Sequence, residues 1–471
     1  MGIRARLSAS VVLTCAFALL STAPADSATT RTRTIHASHQ GWGVATFKLR
    51  HVRPPTVQSA SLKVGRHRQR VRVARVRRAA AKGVLRLRSK LLRQGRRRRA
   101  VLVLTVLVAG GLILPGDQPS APPAPGDSAP QSMSACPSFG SFRAGNWPGG
   151  CWRPYSDASP FNQPIPDNPQ LLPGSAAIVK RFRGWNQLSA AWVGTAGTSD
   201  DYWHPTYYAQ ESDPHYTIHC TVYACRDIEG VQIRIPRAAR AAAGSDAHMT
   251  VVDQRSDWEY DFWEVRTNPL PSGGGTIAVG GGGRTRIGTA DADGLGSNAN
   301  AAQWGLLAGI IRAQELESGR INHALTFVTR CDNNTHVYPA RGLGRPCSAV
   351  GESNATAPPM GARFQLAMSA TAIDALEVPR WKKTILHAMS RYGMYLGDTG
   401  GGFLSFESGS TYTSFGYRDA METFAQRHLG EGGISTSVGD DGKRDYVFDL
   451  ASGVPWVRLR VIAPCVTHRI C

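Results

Sequence analysis

Ten consecutive residues, Ser256 to Val265, hold the carboxylates of Asp257, Glu259, Asp261 and Glu264 and the rings of Trp258, Tyr260, Phe262 and Trp263. Two carboxyl groups in one site raise at least one pKa, which is the equipment of general acid/base chemistry. Read as a strand, the segment turns Trp258, Tyr260 and Phe262 to one side and Glu259, Asp261 and Trp263 to the other. The first side is expected to be core and the second to line a wet groove. Glu264 falls on the apolar side, where an unpaired carboxylate is costly; a bulge would return it to the acid face. Glu259 and Glu264 would then stand roughly 13 Å apart along the strand at about 3.3 Å per residue. Side chains leaning together would approach the roughly 5 Å that retaining glycoside hydrolysis uses.

A second acid-plus-aromatic patch runs from Asp200 to Tyr208. Rings stack on the apolar faces of sugars while carboxylates accept hydroxyl hydrogen bonds, so Trp203, Tyr207, Trp258 and Trp263 are expected to line a glycan groove, with Asp201 and His248 as further substrate contacts. His323 is a candidate general acid/base or a hydrogen-bonded structural histidine. No cofactor or metal is expected. His215 and His219 lie on a strand-like run that keeps them apart, and Asp291-Ala292-Asp293-Gly294 lacks the twelfth-position Glu of a calcium loop. The glycine-rich Ser272 to Gly283 lacks the Gly-Lys-Ser/Thr ending of a phosphate loop and reads as a mobile connection. There is no Gly-x-Ser-x-Gly nucleophile elbow.

These residues need strands to position them. His248 to Asp253 reads as one strand, with Gln254-Arg255-Ser256 as a tight connection into the acidic one. Pairing Asp253 with Asp257 puts Val251 beside Glu259 and Met249 beside Asp261, and sends His248 to the opposite face. Further strands are expected at Gly230 to Ile235, Asn322 to Thr329, Ala362 to Met368, Gly401 to Phe406 and Trp456 to Ile462. Peripheral helices are expected at Pro236 to Ala243, Gln303 to Ser318, Trp381 to Tyr392 and Tyr417 to Leu429. The fold class is mainly β, a β-sandwich or jelly roll with peripheral helices.

The net charge of +20 is not spread over the chain. Residues 1–100 carry 24 of the 54 Lys and Arg and one of the 34 acids, Asp26, so the rest has 30 bases against 33 acids. No nucleic-acid partner is expected of a near-neutral body. Residues 1–99 read as a basic region with a signal peptide at 4–25, or with a start codon placed too early. Residues 100–114, after Arg96 to Arg99, read as a transmembrane segment or signal h-region that tethers the chain to a membrane. Residues 115–135 form a Pro/Ala/Ser linker, and 136–471 an extracellular β-rich domain. Setting Cys15 aside leaves eight cysteines in close couples, 136 with 151, 220 with 225, 331 with 347 and 465 with 471, as expected of an oxidising compartment.

Glu259-Tyr260-Asp261-Phe262-Trp263-Glu264 resembles the E-x-D-x-x-E signature of laminarinase and carrageenase type glycoside hydrolases. That resemblance implies a concanavalin-like jelly roll, with Glu259 as nucleophile, Asp261 as the residue that orients it and Glu264 as acid/base. A longer stretch, with Val251-Val252-Asp253, Phe262-Trp263, Leu306-Leu307-Ala308-Gly309, Ile321-Asn322-His323-Ala324-Leu325, Tyr338-Pro339-Ala340 and Arg391-Tyr392-Gly393, resembles secreted actinobacterial proteins of unassigned activity. Their pattern has an acid at Asp261 and none at Glu259 or Glu264, and points to Asp261, His248, Asp253 and His323. The expectation is an exported glycan-acting enzyme hydrolysing a polysaccharide with retention; the alternatives are a noncatalytic cell-wall or polysaccharide-binding protein and a structural envelope protein.

Overall fold

The computed structural model describes residues 136–185, 188, 190–193, 198, 201–225, 227–401, 404–439 and 442–464, together with the backbone of the strands between 29 and 108. The expected signal peptide, the expected linker and the expected Cys465–Cys471 couple lie outside the described residues. The chain divides into two units, Met1–Ser128 and Ala129–Cys471.

In the first unit the strands are β1 (Thr29–His36), β2 (His39–Gly41), β3 (Val44–Lys48), β4 (Val57–Val64), β5 (His67–Arg70), β6 (Val84–Arg88) and β7 (Ala100–Val108), in sheets ordered β1-β7-β4-β5 and β2-β3-β6. The apolar run expected to meet a membrane is therefore a strand over its first nine residues, paired with β1 and β4. It is rich in β-branched Val and Thr, which favour extended backbone. No helix among the described residues is long and apolar enough to cross a membrane.

The second unit runs α1 (Ser175–Gly184), β8 (Ala190–Val193), β9 (Thr206–Ala209), β10 (His215–Cys220), β11 (Gln232–Arg234), β12 (Met249–Asp253), β13 (Trp258–Trp263), β14 (Gly275–Val279), β15 (Gly281–Arg286), α2 (Ala313–Ser318), β16 (Leu325–Thr329), β17 (Arg363–Leu366), α3 (Ala370–Asp374), α4 (Arg380–Arg391), β18 (Met394–Thr399), α5 (Ser410–Thr413), α6 (Ala420–His428), β19 (Ile434–Val438), β20 (Arg444–Asp449) and β21 (Leu459–Ile462). The fold is mainly β, 25% strand against 18% helix. Its sheets are β15-β13-β12-β9, β11-β10-β14, β16-β18-β17-β21 and β19-β20-β8. Helix α4 matches its expectation and buries Trp381, Ile385, Leu386, Ala388 and Met389. Residues 236–243 form turns instead of a helix, and in Gln303–Ser318 only Ala313–Ser318 is helical.

The β15-β13-β12-β9 sheet has a core on each face. Tyr207, Met249, Val251, Tyr260 and Phe262 join Tyr216, Ile218, Ile233, Ile277 and Val279 of the β11-β10-β14 sheet in one cluster. Tyr208 and Val252, on the other face, belong to a larger cluster with Phe327, Phe364, Leu396 and the helices. The glycine-rich connection is no mobile loop: it forms β14 and β15. A Cβ on Gly282 would lie 2.5 Å from the Asp261 carbonyl oxygen, and one on Gly283 2.5 Å from the Asn298 nitrogen, so only glycine lets this edge strand approach.

Three cysteine couples are disulfides as expected, Cys136–Cys151, Cys220–Cys225 and Cys331–Cys347.

Candidate functional site

The hairpin forms one step out of the expected register. Asp253 pairs with Trp258, Val252 with Glu259 and Thr250 with Asp261. Asp253 Oδ1 accepts the Arg255 N–H at 3.0 Å, and Asp257 adopts a left-handed φ of 56°. The connection is thus four residues long. One residue changes the parity of the partner strand, so His248 stands on the face of Asp261 and not opposite it.

That face carries three cross-strand rows. Tyr208, Val252, Glu259 and Thr285 make the first, Thr206, Thr250, Asp261 and Gly283 the second. The same alternation continues beyond the strand ends to His204 and His248, beside Trp263 and Gly281. The two imidazoles meet edge to face with ring centroids 4.6 Å apart.

Glu259 and Asp261 sit together as expected, yet both are 0% exposed. Among the described residues the Gly305–Leu307 loop lies on top of them. Its Leu307 N–H donates to Glu259 Oε1 at 2.9 Å, while the Tyr155 hydroxyl donates to Oε2 at 2.7 Å. A Cβ on Gly305 would stand 2.7 Å from Glu259 Oε1, so glycine is what admits the loop. Thr250 Oγ1 donates to Asp261 Oδ1 at 2.8 Å. Burial, then the neighbouring Asp261, push Glu259 well above the carboxylate range. Burial raises Asp261 to about 6. Asp261 Oδ2, Ser297 Oγ, Thr206 Oγ1 and His248 Nδ1 are buried with no hydrogen-bond partner, an unusual concentration on one sheet face.

Burial falls off past the histidines, where His204 and Trp263 are half-buried while His248 stays buried. His204 is half-buried and its Nδ1 lies 3.3 Å from the Leu306 carbonyl oxygen. Burial, then His248, lower it to about 3, and burial lowers His248 to about 4, so both rings are neutral at pH 7. Trp263 is half-exposed and packs 5.5 Å from the exposed Tyr223, which the Cys220–Cys225 disulfide holds on a short loop. Tyr202 is also exposed.

Several expected members are elsewhere. Glu264 does not join Glu259: it lies one residue past β13 with φ 49°, and its Oε2 pairs with Arg266 at 2.7 Å. Trp203 is core against Phe406 rather than groove wall. Tyr207 is fully buried, its hydroxyl within 2.7 Å of the Arg240 carbonyl oxygen. Asp201 is also buried and accepts from Ser408 Oγ at 2.9 Å. Large rings gain more in these cores than at a surface, and Asp201 is held there through Oδ2. His323 has both ring nitrogens engaged, with the Ala324 carbonyl oxygen at 2.8 Å and Glu315 Oε1 at 2.9 Å. Despite burial, Arg312 and His323 hold Glu315 down to about 2. Asp253 faces Arg234 at 3.6 Å.

Trp258, at the far end of β13, has the guanidinium carbons of Arg284 and Arg286 4.3 and 4.0 Å from its ring. With Asp227, Asp291 and Asp293 it lines a surface furrow of about 320 Å³. The group with metal-ligand spacing among the described residues, Cys220, Cys225 and Glu229, has its two sulfurs joined in a disulfide.

Sequence reasoning missed His204, which meets His248 edge to face. His204 sits inside the patch that drew attention to Trp203 and Tyr207, and alternation from Tyr208 back through Thr206 was the signal that could have found it. No protein-family model, curated protein or solved structure matches this chain.

Proposed function

We propose that this chain is an exported glycan-acting enzyme that hydrolyses a polysaccharide, and that its working end is where β9, β12 and β13 emerge beside His204, His248 and Trp263. The observation that supports this most is one polar face running from the buried Glu259–Asp261 pair to a half-open histidine pair, rimmed by Trp263 and Tyr223. Neutral imidazoles and protonatable carboxyls serve acid/base catalysis at mildly acidic pH. Rings at the rim offer stacking surfaces to sugars. The disulfides are compatible with an extracellular place. Export is assigned to residues 1–114; a membrane tether there is the finer reading, weakened by the strand at Ala100–Val108.

The test is reducing-end release by the purified chain from a panel of bacterial and plant polysaccharides. Release that His248→Gln and Asp261→Asn remove and Glu264→Gln spares supports the assignment; release lost with Glu264→Gln returns the chemistry to the six-residue motif.

A noncatalytic polysaccharide-binding role is the second reading, favoured by the Trp258 furrow, whose ring, guanidinia and carboxylates suit sugar hydroxyls. Gel retardation by a polysaccharide that Trp258→Ala abolishes, with no reducing ends released, would establish it.

A further inference from the structure

The loop that carries Tyr223 to the rim is closed at its foot by Cys220 and Cys225, and a carboxylate stands beside that closure. The two sulfurs and a Glu229 oxygen all lie within 4.8 Å of one another. Glu229 Oε2 accepts the Cys220 N–H at 2.8 Å and lies 3.9 Å from Cys225 Sγ, while Oε1 faces His219 Nδ1 at 3.0 Å. The Cys220 N–H, then His219, hold Glu229 below the ordinary carboxylate range, so the sulfurs meet an ionised oxygen.

Backbone hydrogen bonds fix these positions without the S–S bond. Cys220 ends β10 opposite Val279 of β14, and the Thr221, Val222 and Tyr223 N–H groups donate to the Val279 and Gly280 carbonyls at 2.9 to 3.0 Å. Glu229 closes one turn on Cys225, its N–H donating to the Cys225 carbonyl at 2.8 Å, and the Gly230 N–H returns to the Ile218 carbonyl at 2.9 Å. The Cα atoms of Cys220 and Cys225 are 6.3 Å apart. That is in the upper part of the roughly 4.4–6.8 Å that disulfides span, which leaves the sulfurs room to part. Cys220 is half-buried and Glu229 exposed, so ions and reductants reach the site, whereas Cys331 and Cys347 are fully buried.

We propose that Cys220, Cys225 and Glu229 form a site for a divalent cation of the zinc class when their disulfide is reduced, with His219 positioning the carboxylate. The site stands apart from the enzymatic reading above. Thiolates favour soft and borderline ions, and two sulfurs with one carboxylate leave a tetrahedral zinc one position for water. In the exchange a dithiol gives two electrons and two protons to the S–S bond and itself closes to a disulfide, leaving two thiols. The ion then displaces both thiol protons into solvent as the metal–sulfur bonds form. Either link closes the loop of residues 221–224 and keeps Tyr223 against Trp263.

The test uses the whole chain, reduced with a phosphine, freed of it without air, and titrated with cobalt(II) and then zinc. The reduced chain should take up one more equivalent of cobalt than Cys220→Ser/Cys225→Ser, with a thiolate-to-cobalt charge-transfer band that zinc removes. The oxidised chain should show no such band. His219→Ala should weaken zinc binding by about 10–100-fold, and Glu229→Gln, which keeps both sulfurs, by at least as much. Equal uptake by the reduced wild type and the serine variant overturns the site, as does wild-type zinc affinity in Glu229→Gln. If the serine variant does not fold, Glu229→Gln decides.

Discussion

At the level of single residues, two carboxyls shut off from bulk solvent are stable here because donors arrive from distant parts of the chain. The Tyr155 hydroxyl and the Leu307 N–H reach Glu259, and Thr250 Oγ1 reaches Asp261. Removing one donor leaves a buried acceptor unmatched, so Tyr155→Phe should cost about 1–3 kcal/mol, read as a lower midpoint in denaturant unfolding. The pH response has a definite sign. Asp261 holds its proton up to about 6 in the folded chain, whereas an unfolded Asp ionises near 3.9. The folded state binds the extra proton between those values, so this group's stabilisation is complete below about pH 4 and is lost as pH rises toward 6. Calorimetry from pH 4 to 7 should show the stability of wild type relative to Asp261→Asn falling with pH by an amount on the order of 3 kcal/mol. His204 and His248, lowered to about 3 and about 4, work in reverse. They favour folding more as pH rises from that range to the ordinary histidine value near 6.5. His248→Gln should therefore remove part of a rising arm.

At the level of elements, strand existence was legible and face assignment was only half so. Alternation in Trp258–Trp263 correctly separates acids from Trp258, Tyr260 and Phe262. Period two says that the faces differ, not that one is wet; here each meets a core. The wall over the acids comes from Tyr155 and Leu307, far away in sequence, and no local pattern announces it. His248 was misplaced because a four-residue connection and a three-residue one look alike until the Asp253 carboxylate caps the turn. Strand β15 was missed because Gly281-Gly282-Gly283 has little intrinsic strand preference; the glycines answer to crowding. This can be measured: Gly283→Ala, whose Cβ would meet Asn298, should cost about 1–3 kcal/mol or more. Gly273→Ala, with nothing within 4 Å, should be neutral in the same unfolding experiment.

At the level of the whole molecule, charge and structure divide the chain in the same region. The Lys and Arg excess belongs to the first 100 residues, and the near-neutral remainder contains the disulfide-bonded β unit from Ala129 onward. Residues 1–471 should elute late from a cation exchanger at pH 7 and residues 129–471 in the flow-through. Equal retention would mean that the charge is not confined as the sequence says.

The sheet with a hydrophobic cluster on either side also governs how the unit comes apart. Neither cluster can loosen while the partition between them keeps its hydrogen-bonded ladder, and the ladder cannot open without flooding both. Backbone amides of Val251, Val252, Tyr260 and Phe262 should therefore be among the last to take up deuterium, and should do so together. A destabilising change planted in either compartment should speed them all by the same factor.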